Sequence, residues 1–483
     1  AIRIAREHGR KVIFDIDYRP NLWGLLGHDA GAERYKASDT VSEKYRRVLP
    51  LCDLIVGTEE EVLIASGQSD LLAALRAIRA TSSATIVLKR GAMGCIVYEG
   101  EIADDLEAGI VGQGFVIEVY NTLGAGDSFM SGFLRGWLRG EPHATSATWA
   151  NACGAIAVSR LLCSPEIPTF AELQHFLTKG SKHKALRKDE DLNHVHWATT
   201  RRNDYPVLMA LAIDHRKQLE DVAKELGAGE ERIGDFKVLA VKAAARVAAG
   251  RPGYGMLIDD KHGREALFAA SKLPAFWIAR PLEEPGSCPL RFEFSQDVGG
   301  RLVEWPIDHC IKCLAFYHPD DPETLKAEQA GTLRTLYEAA RRQGRELLIE
   351  IIAGRNGPLD DTTVARVLDE LYALGIRPDW WKLEPQMSAA AWQAIDAEVM
   401  RHDPRCRGIV LLGLEASTEE LIAAFAAAQS VPSVKGFAVG RTIFADAARS
   451  WLAGEIGDDA AIADMAERFA LLTEAWQKLL PDS

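Results

Sequence analysis

No apolar run in this sequence approaches the roughly 20 residues that a helix needs to cross a bilayer, which argues against a helical membrane protein. The first residues, Ala-Ile-Arg-Ile-Ala-Arg-Glu-His, lack the apolar core of a secretory leader and read as a charged helix that begins inside a fold. An initiator Met is also missing, which fits a chain whose natural start lies upstream. Positive charge is in deficit: 69 Asp and Glu against 56 Lys and Arg give a net charge of −13, the wrong sign for non-specific nucleic-acid binding. A few local cations would still suffice for a small anion. Cysteine is sparse, with eight scattered residues, as expected of a reducing cytoplasm. Cys310 and Cys313 form a C-x-x-C with Lys312 between them in an apolar run. No second Cys or His pair completes a zinc set, so a redox or metal role there is the minor alternative. Repeats and low-complexity tracts are absent.

What is present is 483 residues, 47% hydrophobic and 26% charged, the balance of soluble globular proteins at a length that calls for two or three domains. Residues 1–178 alternate short β-branched runs (11–16, 54–57, 85–89, 95–98) with amphipathic helices, the pattern of a layered α/β domain. Residues 179–204 are charged with little apolar periodicity and read as a linker. Residues 205–483 hold eight apolar runs, 207–214, 255–260, 276–282, 311–318, 346–352, 380–385, 408–413 and 434–440. Helical stretches such as 321–342 and 361–374 separate most of them. Fully apolar strands with helical crossovers predict a closed parallel (β/α)8 TIM barrel, with a doubly wound open sheet as the alternative.

In the first region, Asn121-Thr122-Leu123-Gly124-Ala125-Gly126-Asp127 follows an expected strand, 115–120, and opens a helix whose apolar face carries Phe129, Phe133, Leu134 and Trp137. Glycines at such a turn let backbone N–H groups converge on an anion at the helix N-terminus, and Asp127 stands where it can accept a hydroxyl proton. A tight turn with Asp127 capping its helix explains the same residues.

In the second region the strand ends carry the polar residues, and barrel active sites lie at the C-terminal ends of strands. These are Asp214-His215-Arg216, Asp259-Asp260, Lys312, Glu350, Lys382, Gly413 and Gly440-Arg441. A lysine inside an apolar strand is unusual, because burial disfavours its charged form and frees the amine to attack a carbonyl. Lys382 is the candidate nucleophile, with Lys312 near it and Glu350 and Asp214 as proton-transfer groups. Gly413, Gly440 and Arg441 follow strands seven and eight, the usual phosphate position. An ion pair between Lys382 and Glu350 with no chemistry is the plainer alternative.

NTLGAGDSFMSGFL, with FDIDYRPNLW (14–23), GTEEE (57–61) and LKRGAMGCIVY (88–98) in that order, resembles the ribokinase (PfkB) carbohydrate kinase family. The resemblance implies an anion hole at Gly124, Ala125 and Gly126, and Asp127 as catalytic base. It further implies that Glu60 helps organise metal-bound phosphate, that Asn151 lies near adenine, and that ATP and Mg2+ are cofactors. Gly57 stands where many members have Asn, and Asn121 where many have Asp; both look at home in the 5-dehydro-2-deoxygluconate kinase branch of inositol catabolism. Residues 1 to about 175 correspond to the C-terminal part of that family, so the early strands, the lid and most sugar contacts are expected to be missing. The unit is therefore truncated, with an exposed sheet edge and little turnover expected from it alone.

ALAIDHR (210–216), LIDDKHG (257–263), IKCLAFYHPDD (311–321), LLIEII (347–352), WWKLEP (380–385), VLLGL (410–414) and AVGRTIF (438–444) are similar to class I aldolases close to tagatose-bisphosphate aldolase. By position, Lys382 is then the Schiff-base lysine, Glu350 the acid/base with Lys312 and Asp214 in support, and Gly440 with Arg441 the phosphate site, with no cofactor or metal. His215 stands where those enzymes commonly have Gln. The two resemblances imply a bifunctional cytoplasmic enzyme of inositol catabolism that takes a sugar acid and a sugar phosphate. It would bind neither nucleic acid nor membrane, and it is a possible homo-oligomer. A barrel acting on another ketose phosphate, or a sensor regulating the kinase, are the alternatives.

Overall fold

The computed structural model describes residues 1–25, 35–293, 297–429 and 431–480. The chain divides into two compact units, Ala1–Thr200 and Arg201–Ser483.

The first unit is built on a five-stranded sheet in the order β1-β2-β3-β4-β5. Its strands are β1 (Ile13–Asp15), β2 (Leu54–Thr58), β3 (Thr85–Lys89), β4 (Gly94–Tyr98) and β5 (Ile110–Gln113). β1, β2 and β3 pair in parallel, and β4 and β5 run antiparallel. The helix Ala125–Trp137 lays Phe129, Met130 and Phe133 on one sheet face, against Leu54, Val56, Val87 and Val97.

Residues 115–120, expected as a strand, join no sheet. The Glu118 N–H donates to Lys184 O and the Tyr120 N–H to Val158 O, so this segment satisfies its backbone on a helix end and a loop. β-branched composition does not distinguish such a segment from a ladder strand. Residues 179–204, expected as a linker, include the helix Glu190–Thr200. Leu186 and Leu192 join a core with Phe176 and Ile156, and the wholly buried Glu172 carboxylate takes both Arg160 and His196. Two apolar contacts and one buried ion cluster dock a segment whose average composition is charged.

The second unit is a closed barrel of eight strands, β6 (Leu208–Ala212), β7 (Tyr254–Leu257), β8 (Trp277–Pro281), β9 (Cys310–Ala315), β10 (Leu347–Ile351), β11 (Trp380–Leu383), β12 (Gly408–Leu412) and β13 (Val434–Val439). Every neighbouring pair is parallel, which the intervening helices require. Side chains alternate across each strand. Leu208, Ala210, Trp277, Leu348, Trp380 and Val410 fill the interior, while Ile311, Ile349, Trp381 and Leu383 face the helices.

The same period of two splits the C-x-x-C. Cys310 lies in the interior cluster and Cys313 in the outer one, so the two thiols occupy opposite faces of β9. That arrangement removes the redox or metal alternative for the pair. No helix among the described residues is long and apolar enough to cross a membrane.

Candidate active site

Alternation places Lys312, Glu350 and Lys382 on the inner face of three successive strands. Glu350 stands directly opposite Lys382 in the β10–β11 register, and Leu348, two residues before Glu350, stands opposite Lys312. The result is a buried cluster at the C-terminal end of the barrel. Lys382 Nζ lies 3.0 Å from Glu350 Oε1. Lys312 Nζ lies 2.9 Å from Glu350 Oε2, 3.1 Å from Asp214 Oδ2 and 2.8 Å from Glu283 Oε1. Asp214 reaches the cluster from just past β6, where the Ile213 N–H still bonds Leu257 O at 2.8 Å.

The charges reinforce one another. Burial by itself raises the Asp214 carboxyl, but Lys312 and then Lys382 outweigh it and hold the group well below the ordinary carboxylate range. Glu350 is likewise depressed, burial being overcome by Lys312 and Lys382. Burial pulls Lys312 down, yet Asp214, Glu283 and Glu350 together hold its ammonium well above the usual lysine value. Burial takes the His215 imidazole down to about 4 against the opposing pull of Asp214, so the ring is neutral at physiological pH.

A cavity of 560 Å³ opens over this cluster. Asp214, Lys312, Glu350, Lys382, Gly413, Gly440 and Arg441, the candidates from the sequence, all line it. Gly440 has a steric reason to be glycine: a Cβ there would meet Ala212 O at 2.4 Å and His215 Cε1 at 2.6 Å. Arg441 is ion-paired with Glu415, a largely exposed side chain, so an anion binding there must displace a solvated carboxylate. Asp259 and Asp260 take no part; they pair with Lys237 and with Arg280 and Arg301.

Sequence reasoning missed Glu283. It follows β8 in a Leu-Glu-Glu-Pro segment that reads as a solvated loop, yet the residue is buried. Its carboxylate takes Lys312, Arg216 Nη2 at 3.2 Å and the Leu314 N–H at 3.2 Å. Arg216 in turn pairs with Glu293 at 2.6 Å. Glu283→Gln keeps the shape but leaves two buried cations short of one counter-charge. It is expected to destabilise the barrel by about 1–3 kcal/mol, read as a lower urea midpoint. An unchanged midpoint would contradict the account of this pair.

The first unit holds a second cavity, of 340 Å³, lined by Thr58, Lys89, Thr122, Ala125, Gly126 and Asn151 among others. Gly124 is the N-cap of the helix Ala125–Trp137 in the left-handed conformation, φ 77°, and a Cβ on it would meet Cys163 Sγ at 2.3 Å. Asp127 lies exposed in the first turn of that helix. Lys89, which the sequence reading did not single out, reaches the loop: a Cβ on Gly126 would lie 3.8 Å from its Nζ. Lys89 also pairs with Asp15 at 3.0 Å.

The other two candidates are placed differently. Asn151 is buried and donates its amide to Gly112 O at 3.0 Å and Gln113 O at 3.1 Å, so its donors tie β5 to its own helix. Glu60 is exposed and does not line the cavity. The neighbouring Glu61 is the buried carboxylate, closing a capping box with Thr58 and lying 3.7 Å from Lys89. Among the described residues, one trio comes close enough to share a metal ion, Asp369, Glu398 and His402, and Arg401 already bridges its two carboxylates.

Residues 30–169 match the pfkB family carbohydrate kinase model, and residues 172–480 match the family described as uncharacterized protein conserved in bacteria (DUF2090). The 5-dehydro-2-deoxygluconokinase of Geobacillus kaustophilus is 30% identical over 194 residues, which cover 39% of this chain and 52% of that protein. The Bacillus subtilis 5-dehydro-2-deoxygluconokinase is 26% identical over 185 residues, 38% of this chain and 51% of its own length. The chain thus spans about half the length of the curated relatives it matches. Among solved structures, fructose-bisphosphate aldolase from Plasmodium falciparum aligns with a TM-score of 0.45 at 11% identity, covering 61% of this chain and 97% of that one. Because the DUF2090 match spans well over half of its residues, this chain is a member of that family, and the residues ahead of the barrel match the pfkB carbohydrate kinase model.

Proposed function

We propose that the barrel is a lysine-dependent aldolase for 6-phospho-5-dehydro-2-deoxygluconate, and that the first unit is the phosphate-handling part of the kinase that makes this compound. The observation that carries the barrel reading is Lys382 beside Glu350 and Lys312 on the floor of the 560 Å³ cavity. The kinase reading rests on the glycine loop, Lys89 and the identity to 5-dehydro-2-deoxygluconokinases.

In the proposed reaction Lys382 passes a proton to Glu350 and its amine attacks the C5 ketone, with loss of water to give an iminium. Losing that proton removes one of the two cations that depress Glu350, so the carboxylate becomes a better acceptor as the amine becomes a nucleophile. A carboxylate then takes the C3 hydroxyl proton and the C3–C4 bond breaks. Its electron pair passes into the iminium as an enamine, and C3 leaves as the aldehyde of malonate semialdehyde. Protonation at C4 and hydrolysis release dihydroxyacetone phosphate and restore Lys382. Lys312 keeps Asp214 ionised through the cycle and favours the return of Glu350 to its carboxylate after it has handed its proton on. Gly413, Gly440 and Arg441 would hold the C6 phosphate.

In the first unit, the backbone N–H groups of the Gly124–Gly126 loop and Lys89 suit the phosphates of ATP, and Asp127 would accept the proton of the attacking hydroxyl. Mg2+, when bound, would neutralise charge on the phosphates; Glu60, which the family resemblance assigns to organising it, is exposed and stands outside the cavity lining.

Borohydride reduction of the chain with dihydroxyacetone phosphate, followed by peptide mass analysis, tests the barrel reading. A stable adduct on Lys382 is expected. A folded protein that forms none overturns it.

A further inference from the structure

Six side chains that can carry positive charge line the barrel cavity, and one of them has no carboxylate to answer it among the described residues. Lys312, Lys382, Arg216 and Arg441 are each ion-paired, and His215 lies 3.9 Å from Asp214. Arg355 forms no ion pair among the described residues; its guanidinium stacks 3.9 Å from the centroid of the Phe316 ring. Asp320 and Asp321, in the loop after β9, are engaged with Arg366 and Asn356, and Asp360, in the loop of Arg355 itself, with Thr362 and Thr363.

The position of Arg355 is nevertheless fixed. Glu384 spends both carboxylate oxygens on the Gly354 N–H, at 2.9 and 3.0 Å, which pins the backbone just before it. Phe316 lies beneath the guanidinium and is its fixed contact on a side chain that is otherwise exposed. A planar, held guanidinium without a counter-ion is the donor set that reads a carboxylate through two parallel hydrogen bonds.

The barrel order β10-β11-β12-β13 then sets the geometry. Arg355 follows β10, Lys382 lies on β11, and Gly440 with Arg441 follows β13. The nucleophile therefore stands between two cationic positions on the rim, one on either side. We propose that Arg355 is the specificity-determining residue for a second anionic terminus of the substrate, the carboxylate of a phosphorylated keto sugar acid, at the end away from the phosphate. This rests on the reading of Lys382 as the residue that holds the ketone.

Three compounds that share the dihydroxyacetone phosphate half test it. The phospho-keto sugar acid ends in a carboxylate, fructose 1-phosphate in a neutral hydroxymethyl group, and fructose 1,6-bisphosphate in a second phosphate. Arg355→Met keeps the apolar contact with Phe316 and removes the charge. It is expected to raise KM for the sugar acid by about 30- to 100-fold, to leave KM for fructose 1-phosphate unchanged and to leave kcat within about twofold. Arg355→Lys should recover only part of the loss, because an ammonium cannot make the paired contact.

An unchanged KM for the sugar acid overturns the proposal, and an effect confined to the bisphosphate overturns the carboxylate assignment. Calorimetric binding of the same compounds to Lys382→Met, with and without Arg355→Met, reads the terminus without any cleavage. If Lys382 forms no adduct in the wild type but the Arg355-dependent affinity difference persists there, only the covalent reading has failed. If the adduct forms and that difference is missing, only the Arg355 proposal has failed.

Discussion

Lys382→Ala is expected to lower cleavage of the phospho-keto sugar acid on the order of 10³-fold or more and to abolish the borohydride-stable adduct. No other residue can take over, because the remaining cavity lysine, Lys312, is held protonated by three carboxylates. The variant should fold. Removing Lys382 leaves Glu350 still paired with Lys312 at 2.9 Å, so no carboxylate is stranded in the barrel. Lys382→Arg separates nucleophile from charge: it keeps a cation beside Glu350 and should retain the wild-type melting temperature with no adduct. Steady-state rates and peptide mass analysis on the three proteins decide the matter, and more than a tenth of wild-type cleavage in Lys382→Ala would make the lysine a structural ion-pair partner.

The largest effect on stability is expected from Lys312→Met. One ammonium answers Asp214, Glu283 and Glu350, and its loss strands buried negative charge. Removing one partner of a buried pair costs about 3–5 kcal/mol. For a unit of this size that corresponds to a fall of about 5–8 °C in the melting temperature.

The pH dependence should change sign as well. In the wild type, Asp214 and Glu350 are held below the ordinary carboxylate range. Their contribution is present above the unfolded value of about 4 and is lost as pH falls through the folded values. In Lys312→Met the burial remains and the main opposing charge is gone, so Asp214 above all moves up. The folded state then binds more protons than the unfolded one, and stability falls as pH rises through the raised value. Melting curves of both proteins from pH 4 to 8 should therefore diverge toward the alkaline end. Melting temperatures within 2 °C at pH 7 would overturn this account.

How much of the site the sequence disclosed depended on where each residue sits relative to a repeating element. Lys312, Glu350 and Lys382 interrupt apolar runs, so the sequence places a charge on each of three barrel strands, and barrel closure turns all three inward. Gly413 and Gly440 end such runs and fall by the same logic at the mouth. Glu283 and Arg355 lie just beyond strands, in segments whose composition reads as solvent-facing loop. Nothing local distinguishes them from Glu284 or Asn356. Lys89 ends β3 and reads as an ordinary strand-edge cation until the glycine loop is folded next to it.

The sequence by itself determined the two α/β units, the count and parallel sense of the barrel strands, the placement of the lysines on strands and the glycine turn before the helix Ala125–Trp137. These follow from periodicity and from backbone conformations only glycine adopts cheaply, both of which are local. Tertiary structure alone decided that residues 115–120 pair outside the sheet and that the helix Glu190–Thr200 packs on the first unit. It also decided that Glu283 closes the lysine cluster while Arg355 is left without a counter-charge among the described residues. The physical reason is the same throughout. Ion pairing and docking are set by which segments folding brings within about 4 Å of one another, a distance that separation along the chain does not encode.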